Sequence, residues 1–412
     1  MERFIVRAAA ALLFAVCPSV FAQVASTQCG EREVVLDGRT SVAKLDGCGG
    51  GYEDDLLWHL DRIDQIGGAL DGTFDRRNGG AGSVIYVMDT GVRADHVEFA
   101  GARTSRVVAG FDVAGSVPVG ESNCTSNNKA LAPCYGNDEE LAAAAHGTSV
   151  ASIAAGHNIG VAPEASVVSI RVMNERGLAT TRTYLDGLDA IVQHAWSAGA
   201  PPFRTAIVNI SGWVLERLSG TSDATPSVPY SSVAQKMRDM VSGVDAQGRP
   251  DPNGRRFFFV VAANNVDGGC GPSGMIDRFP AILGQDVAGI ITVGGMTRLN
   301  TAWMGSCRGG VEVLAPAQSI FSATVTARDE YRGKRPNLRS GTSFAAPIIA
   351  GIAARLLSDR PELTPSQLEA WITATPSRVE NPDALLADGK VAYVRSIAPG
   401  VTMAQRGGAA GY

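Results

Sequence analysis

The sequence has few of the features that mark metal-binding, nucleic-acid-binding or membrane-spanning proteins. No two cysteines have the C-x-x-C spacing and no H-E-x-x-H motif occurs, so the common zinc patterns are absent. There are only five histidines, and the net charge of -5 comes without a basic stripe, which disfavours nucleic acid as a partner. Beyond residue 22, no apolar run approaches the ~18 residues that a membrane helix requires.

What is present at the N-terminus has the pattern of a secretory signal peptide. Within residues 1–22, Arg3 and Arg7 precede an apolar run, and the pattern closes on the small residue Ala22. We expect cleavage there, a secreted or periplasmic location, and no membrane contact afterwards. The remaining chain is long and apolar enough for one large domain with its own core.

Six of the seven cysteines follow the signal segment, and an even number suits an oxidising compartment. Fifteen pairings are possible for six cysteines. Nearness in the sequence favours three disulfides: Cys29 with Cys48, Cys124 with Cys134, and Cys270 with Cys307.

From residue 83 onward, short β-branched runs alternate with longer alanine-rich stretches. The strand candidates are residues 83–89, 105–112, 165–173, 205–211, 256–263, 288–295 and 310–316. The helix candidates are about 146–156, 181–198, 229–243, 343–358 and 364–374. Apolar strands separated by helices predict an α/β, doubly wound fold with a mainly parallel central sheet and helices on both faces. Catalytic residues of such folds lie at the carboxyl ends of the strands.

Three short blocks place chemically useful residues at such positions. Asp89 ends the first of these strands, although an Asp before a turn is common by itself. His146 heads an alanine-rich helix in the block HGTSVASIAAG. Ser343 opens an apolar helix, where it is either an N-cap or a nucleophile, and Thr342 offers an alternative cap. Together the blocks supply an acid, a base and a nucleophile in the order Asp, His, Ser.

The blocks DTGVRADHVEF, HGTSVASIAAG and GTSFAAPIIAG resemble the three signature blocks of the subtilisin-like serine peptidases, over about residues 55–358. Residues 56–65, LLWHLDRIDQ, are similar to the start of the mature enzyme in the proteinase K-like branch. The resemblance implies a secreted serine endopeptidase that forms an acyl-enzyme. Ser343 would then attack the peptide carbonyl, His146 would move the proton, and Asp89 would orient His146.

The resemblance also assigns a second donor for the oxyanion and a substrate groove. Asn265 aligns with the family's oxyanion asparagine, and Asn264 replaces a glycine. Extended substrate is expected to lie along two segments, Gly177, Leu178 and Ala179 in one and Ser211, Gly212 and Trp213 in the other. Trp213 departs from the family pattern and is expected to narrow or reshape the S1 pocket.

On the same basis we divide the chain into four parts: a signal peptide (1–22), a short N-terminal or pro segment (23–54), a peptidase domain (55–376) and a C-terminal tail (377–412). The pro segment is shorter than the pro-domain that relatives usually carry. The partners implied are protein or peptide substrates, and the enzyme is expected to be a monomer. No cofactor or metal is expected in the chemistry. A structural calcium ion remains an expectation, because Glu312 stands where relatives tend to place a ligating Asp.

Two other functions compete with this interpretation. A non-catalytic peptide-binding protein of the same fold would keep the groove without turnover. A dinucleotide-binding enzyme is suggested by Gly79-Gly80-Ala81-Gly82, but these glycines precede the strand instead of following it.

Overall fold

A computed structural model of the chain describes residues 57–67, 69–99, 105–114, 145–174, 177–214, 229–245, 247–325, 338–380, 386 and 389–394, together with the backbone of 34–36 and 41–44. Near the N-terminus, three strands form an antiparallel sheet in the order β1 (Val34–Leu36), β2 (Ser41–Lys44) and β3 (Thr73–Asp75). The first two strands lie within the predicted pro segment, so this pairing ties that segment to the domain.

The central sheet contains seven strands: β4 (Val84–Asp89), β5 (Val107–Asp112), β6 (Ser166–Arg171), β7 (Thr205–Ile210), β8 (Arg256–Ala262), β9 (Ile290–Met296) and β10 (Val313–Pro316). Their order across the sheet is β10-β9-β8-β7-β4-β6-β5, and every adjacent pair is parallel. All residues of β4, β7 and β9 are buried, as expected for strands covered on both faces. A short antiparallel pair, β11 (Ile320–Phe321) and β12 (Leu338–Arg339), follows.

The described helices are α1 (Trp58–Ile63), α2 (His146–Ala155), α3 (Thr181–Trp196), α4 (Tyr230–Ser242), α5 (Thr342–Asp359) and α6 (Pro365–Thr373). Helices α1, α2, α5 and α6 share one apolar core with one face of the central sheet. Helices α3 and α4 cover the other face. The predicted doubly wound α/β fold is therefore confirmed, with all seven strand candidates in one sheet and the ends of elements shifted by a few residues.

Helix α5 lies at the centre of the first core because its residues are small. From Thr342 to Leu357, every residue is buried. An added Cβ at Gly351 would lie only 2.5 Å from Val161 Cβ and 2.9 Å from Ala154 O. The missing side chain therefore allows α5 to approach α2 and the turn after it, which fixes the direction in which the start of α5 points.

One predicted disulfide lies within the described residues. Cys270, after β8, is bonded to Cys307, between β9 and β10, which confirms that pairing. It closes a loop across 37 residues beside the carboxyl edge of the sheet. The other two predicted pairs lie outside the described residues. Among the described helices, none combines the length and the apolar character needed to cross a membrane.

Replacing Gly351 with Ala should destabilise the fold. We expect the added methyl group to cost about 1–3 kcal/mol in overpacking, which exceeds the gain of up to ~1 kcal/mol from helix propensity. Urea unfolding measures the difference. Gly199→Ala is the control, since no atom lies within 4 Å of its added Cβ. Equal stability of Gly351→Ala and the parent chain would contradict the close contact.

Candidate active site

Asp89 occupies the last position of β4 and is completely buried. The backbone N–H of Thr90 donates to its Oδ1 at 2.7 Å. The same turn receives the start of α2, where the Gly147 N–H donates to Thr90 Oγ1 at 3.0 Å. A Cβ at Gly147 would fall 2.2 Å from Gly91 O, so only glycine permits this approach. This steric limit explains why glycine follows His146 in the sequence block.

His146 is the first residue of α2 and faces Asp89. Its Nδ1 lies 2.8 Å from Asp89 Oδ1 and 2.9 Å from Asp89 Oδ2, while the histidine side chain remains 21% exposed. A donating Nδ1–H fixes the tautomer and leaves Nε2 able to accept a proton. The imidazole also lies against Phe344, with ring centroids 5.4 Å apart, which places it beside the start of α5.

Ser343 is the second residue of α5, and two hydrogen bonds join it to Ser211 just after β7. Ser343 Oγ donates to Ser211 O at 3.0 Å, and Ser211 Oγ donates to Ser343 O at 2.8 Å. The Ser343 carbonyl is open to this contact because Pro347, four residues later, has no N–H to donate to it. Among the described residues, no hydrogen bond joins Ser343 Oγ to His146.

The helix begins one residue earlier than the sequence predicted, and neither Thr342 nor Ser343 caps it through a side chain. The N-cap is Gly341, with a φ of 154° that favours glycine, and the Phe344 N–H donates to Gly341 O at 3.0 Å. Thr342 is instead occupied with Asn265. Its N–H and its hydroxyl both donate to Asn265 Oδ1, at 2.9 and 3.2 Å.

Because Asn265 Oδ1 accepts both bonds from Thr342, its Nδ2 is left as the donor, and it lies beside Gly341. As the second residue of a helix, Ser343 has a backbone N–H without an intrahelical partner, in a region that favours negative charge. Both donors therefore lie at the start of α5. The neighbouring Asn264 is buried with a φ of 73°, and the described residues contain no hydrogen-bond partner for its amide.

The two predicted substrate segments are brought together at the same edge. Ala179 forms a parallel bridge with Val214, directly after Trp213, and Leu178 is 40% exposed. Gly177 has a φ of 72° and closes a turn in which its N–H donates to Asn174 O. Gly212 lies against Met173, whose Cε would be 2.2 Å from an added Cβ.

The structure thus brings Asp89, His146, Ser343 and Asn265 to one edge of the sheet. It gives Ser211 a further part that the sequence did not indicate, because its hydroxyl and carbonyl anchor Ser343. The substrate-binding role of Ser211 stays a prediction. The orienting contact of Thr342 was also missed. The sequence gives only a weak signal for such contacts, because the hydroxyl and its hydrogen-bond partner lie far apart along the chain.

Glu312, where the family resemblance suggested a calcium ligand, is paired with a second carboxyl. One of its oxygens accepts the Thr292 N–H at 2.8 Å, and its carboxyl is hydrogen-bonded to Glu369, which also accepts the Gly289 N–H. Burial, followed by the nearby charge of Glu369, raises the pKa of Glu312 to about 8. A protonated carboxyl can donate to a neighbouring carboxylate, so this pair needs no cation to stay together. The described residues contain no group of three side chains suited to a metal, and a structural calcium ion stays a prediction.

Known proteins resemble this chain in sequence and in fold. The model of the subtilase family matches residues 80–391. The chain is 31% identical over 345 residues to alkaline serine exoprotease A of Vibrio alginolyticus, covering 83% of this chain and 51% of that protein. It is 29% identical over 330 residues to the extracellular serine proteinase of Thermus sp. strain Rt41A, covering 79% and 63%.

A solved structure described as a cold adapted subtilisin-like serine proteinase superposes with a TM-score of 0.58 at 27% identity. The match covers 82% of this chain and 98% of that one. The matches thus span only about half to two thirds of the length of the two curated relatives. None of these comparisons singles out the proteinase K-like branch, which stays a prediction.

The Glu312–Glu369 pair generates a pH prediction. The folded state holds a proton on Glu312 up to about pH 8, whereas an unfolded glutamate releases it near 4.5, so stability should fall as pH rises between these values. Glu312→Gln keeps a hydrogen bond to Glu369 without titrating. From pH 5 to pH 9, its stability relative to the parent should rise by about 1 kcal/mol or more.

Urea unfolding of the parent and the variant at both pH values measures this change. Glu362→Gln, at an exposed glutamate, is the matched control and should show no such trend. A parallel pH dependence of Glu312→Gln and the parent would show that the pair does not share a proton.

Proposed function

Since the chain belongs to the subtilase family, we propose that it is a secreted serine endopeptidase that uses Asp89, His146 and Ser343 and forms an acyl-enzyme. The observation that carries the proposal is the contact of buried Asp89 with His146 Nδ1, at 2.8 Å, beside the N-terminus of α5. A buried carboxylate in that position stabilises the imidazolium that forms when His146 accepts a proton. Export is supported by the signal pattern in residues 1–22.

The first chemical step begins with a rotation of the Ser343 side chain. Its Oγ leaves the Ser211 carbonyl and donates to His146 Nε2. As the proton moves to the imidazole, Oγ attacks the carbonyl carbon of the substrate peptide bond. The carbonyl oxygen becomes an oxyanion, and Asn265 Nδ2 and the Ser343 N–H donate to it.

The second half returns the proton and frees the enzyme. His146 donates its proton to the departing amine, the C–N bond breaks, and an ester between Ser343 and the acyl fragment remains. Water then gives a proton to His146 and attacks the ester, which releases the acid and restores the Ser343 hydroxyl. No metal or organic cofactor takes part in these steps.

The competing function is a peptide-binding protein with the same fold and no turnover. The observation in its favour is the bond of Ser343 Oγ to Ser211 O instead of to His146. The two functions differ in the reactivity of one hydroxyl, because only an activated serine reacts with a fluorophosphonate.

A fluorophosphonate probe should label the purified protein at Ser343, and peptide mapping locates the adduct. Ser343→Ala should abolish labelling, and Asp89→Asn should slow it by several orders of magnitude, since His146 loses its orienting acceptor. Ser232→Ala, at an exposed serine on α4, is the control and should label like the parent. Absence of labelling in the parent, or equal labelling of Ser343→Ala, would refute the peptidase.

Asn265→Ala should lower kcat by about 100- to 1,000-fold with little change in KM, because the lost donor acts on the oxyanion. Asn265→Asp should be at least as impaired, since it retains the acceptor for Thr342 but carries a negative charge. Peptide hydrolysis at saturating substrate measures kcat. Asn253→Ala, at an exposed asparagine, serves as control. A loss confined to KM would mean that Asn265 binds substrate without stabilising the transition state.

A further inference from the structure

A crevice opens between the carboxyl ends of β7 and β8. The strands are in register up to Ile210 beside Val261. Beyond that point the two chains turn apart, because Val214 bridges Ala179 on one side and Asn265 bridges Ser306 on the other. Adjacent parallel strands whose connections diverge leave a crevice at this edge of a sheet.

The start of α5 spans this crevice. Ser343 is bonded to Ser211 on the β7 side, and Thr342 is bonded to Asn265 on the β8 side. A peptide carbonyl held between Ser343 Oγ and Asn265 Nδ2 therefore has its own residue, P1, above the gap between the two chains.

The chain on the β8 side of the crevice carries Asn264, whose buried amide has no partner among the described residues. It is 2% exposed, and neither Nδ2 nor Oδ1 has a hydrogen-bond partner among the described residues. Its backbone is held by the Cys307 N–H, which donates to Asn264 O at 2.9 Å, with a φ of 73° that glycine would adopt more readily. Strained backbone and a buried unpaired amide at one residue point to a ligand that pairs with the amide.

The β7 side of the crevice carries an aromatic residue instead of an amide. Trp213 lies on the β7 side, and Arg278 Cζ lies 6.0 Å from the centroid of its ring. Arg278 Nη2 donates to Gly268 O at 2.9 Å, so the arginine links the Trp213 side to the Asn264 side. The Val214 N–H donates to Phe279 O at 3.3 Å, which holds the chain directly after Trp213.

We propose that Asn264 determines specificity by pairing with a glutamine side chain at P1; this inference rests on the proposed peptidase function. A glutamine amide offers one donor and one acceptor, which satisfy Asn264 Oδ1 and Nδ2 together. A glutamate only accepts and leaves Oδ1 unpaired, while a methionine of similar length leaves both atoms unpaired. The two methylene groups of glutamine lie against Trp213. Because Asn264 is covered in the ligand-free structure, entry of the side chain opens the crevice.

The test uses fluorogenic peptides that share all residues except P1, which is Gln, Glu or Met. The purified parent should hydrolyse the Gln peptide with a kcat/KM at least about tenfold above that of the Met peptide. Asn264→Gly should lower the Gln-to-Met ratio about tenfold while fluorophosphonate labelling persists. Asn264→Asp, which keeps the shape, should also lower it. Asn300→Gly is the matched control, since Asn300 is a buried asparagine with a φ of 57° at another turn.

An unchanged ratio in Asn264→Gly, or a parent that prefers Met or Glu at P1, overturns the assignment of Asn264. Those outcomes leave the peptidase intact, because the peptides are still cleaved. Loss of both cleavage and labelling in the parent overturns the proposed function and this inference with it. If Asn264→Gly no longer reacts with the fluorophosphonate, it has lost its fold or its nucleophile. The Gln-to-Met ratio of kcat/KM in Asn264→Asp then decides.

Discussion

The reciprocal hydrogen bonds between Ser211 and Ser343 hold together the end of a strand and the start of a buried helix. They exist because Pro347 gives no N–H to the Ser343 carbonyl, which would otherwise accept an intrahelical bond. A proline that weakens the helix locally thereby creates an acceptor for the sheet. The position of the hydroxyl of residue 343 depends on this contact more than on any cap.

The rest of the site is built outward from that junction by close approach of backbones. Gly147 lets α2 meet the turn after β4, and Gly351 lets α5 meet the turn after α2. His146 is therefore held between two elements whose separation is fixed by missing side chains. The long apolar strands supply the rigid frame, and the glycines set the distances on which the Asp89 contact depends.

Sequence reasoning predicted the seven strands and the three blocks because both are local signals. A β-branched run such as β4 can be recognised without knowing which strands pair with it. The position of Asp89 at the end of that run is equally independent of the strand order. The antiparallel sheet formed by β1, β2 and β3 was missed, since β2 pairs with a strand about thirty residues away. Thr342 was predicted as a possible cap, but its N–H and hydroxyl donate to Asn265, which lies shortly after β8. Bonds that join distant segments leave no periodic trace in the sequence.

Asn264 and Asn265 are adjacent, but the backbone angle at Asn264 directs their side chains to different surroundings. The chain must turn from β8 toward Ser306, and the φ of 73° at Asn264 makes that turn. The turn sends the side chain of Asn265 toward Thr342, while the side chain of Asn264 is buried on its own. Glycine would serve the turn with less strain and would leave no unpaired amide. The turn therefore explains the angle at residue 264 but not the carboxamide, whose cost in the free chain is recovered only if something that enters the crevice bonds to it.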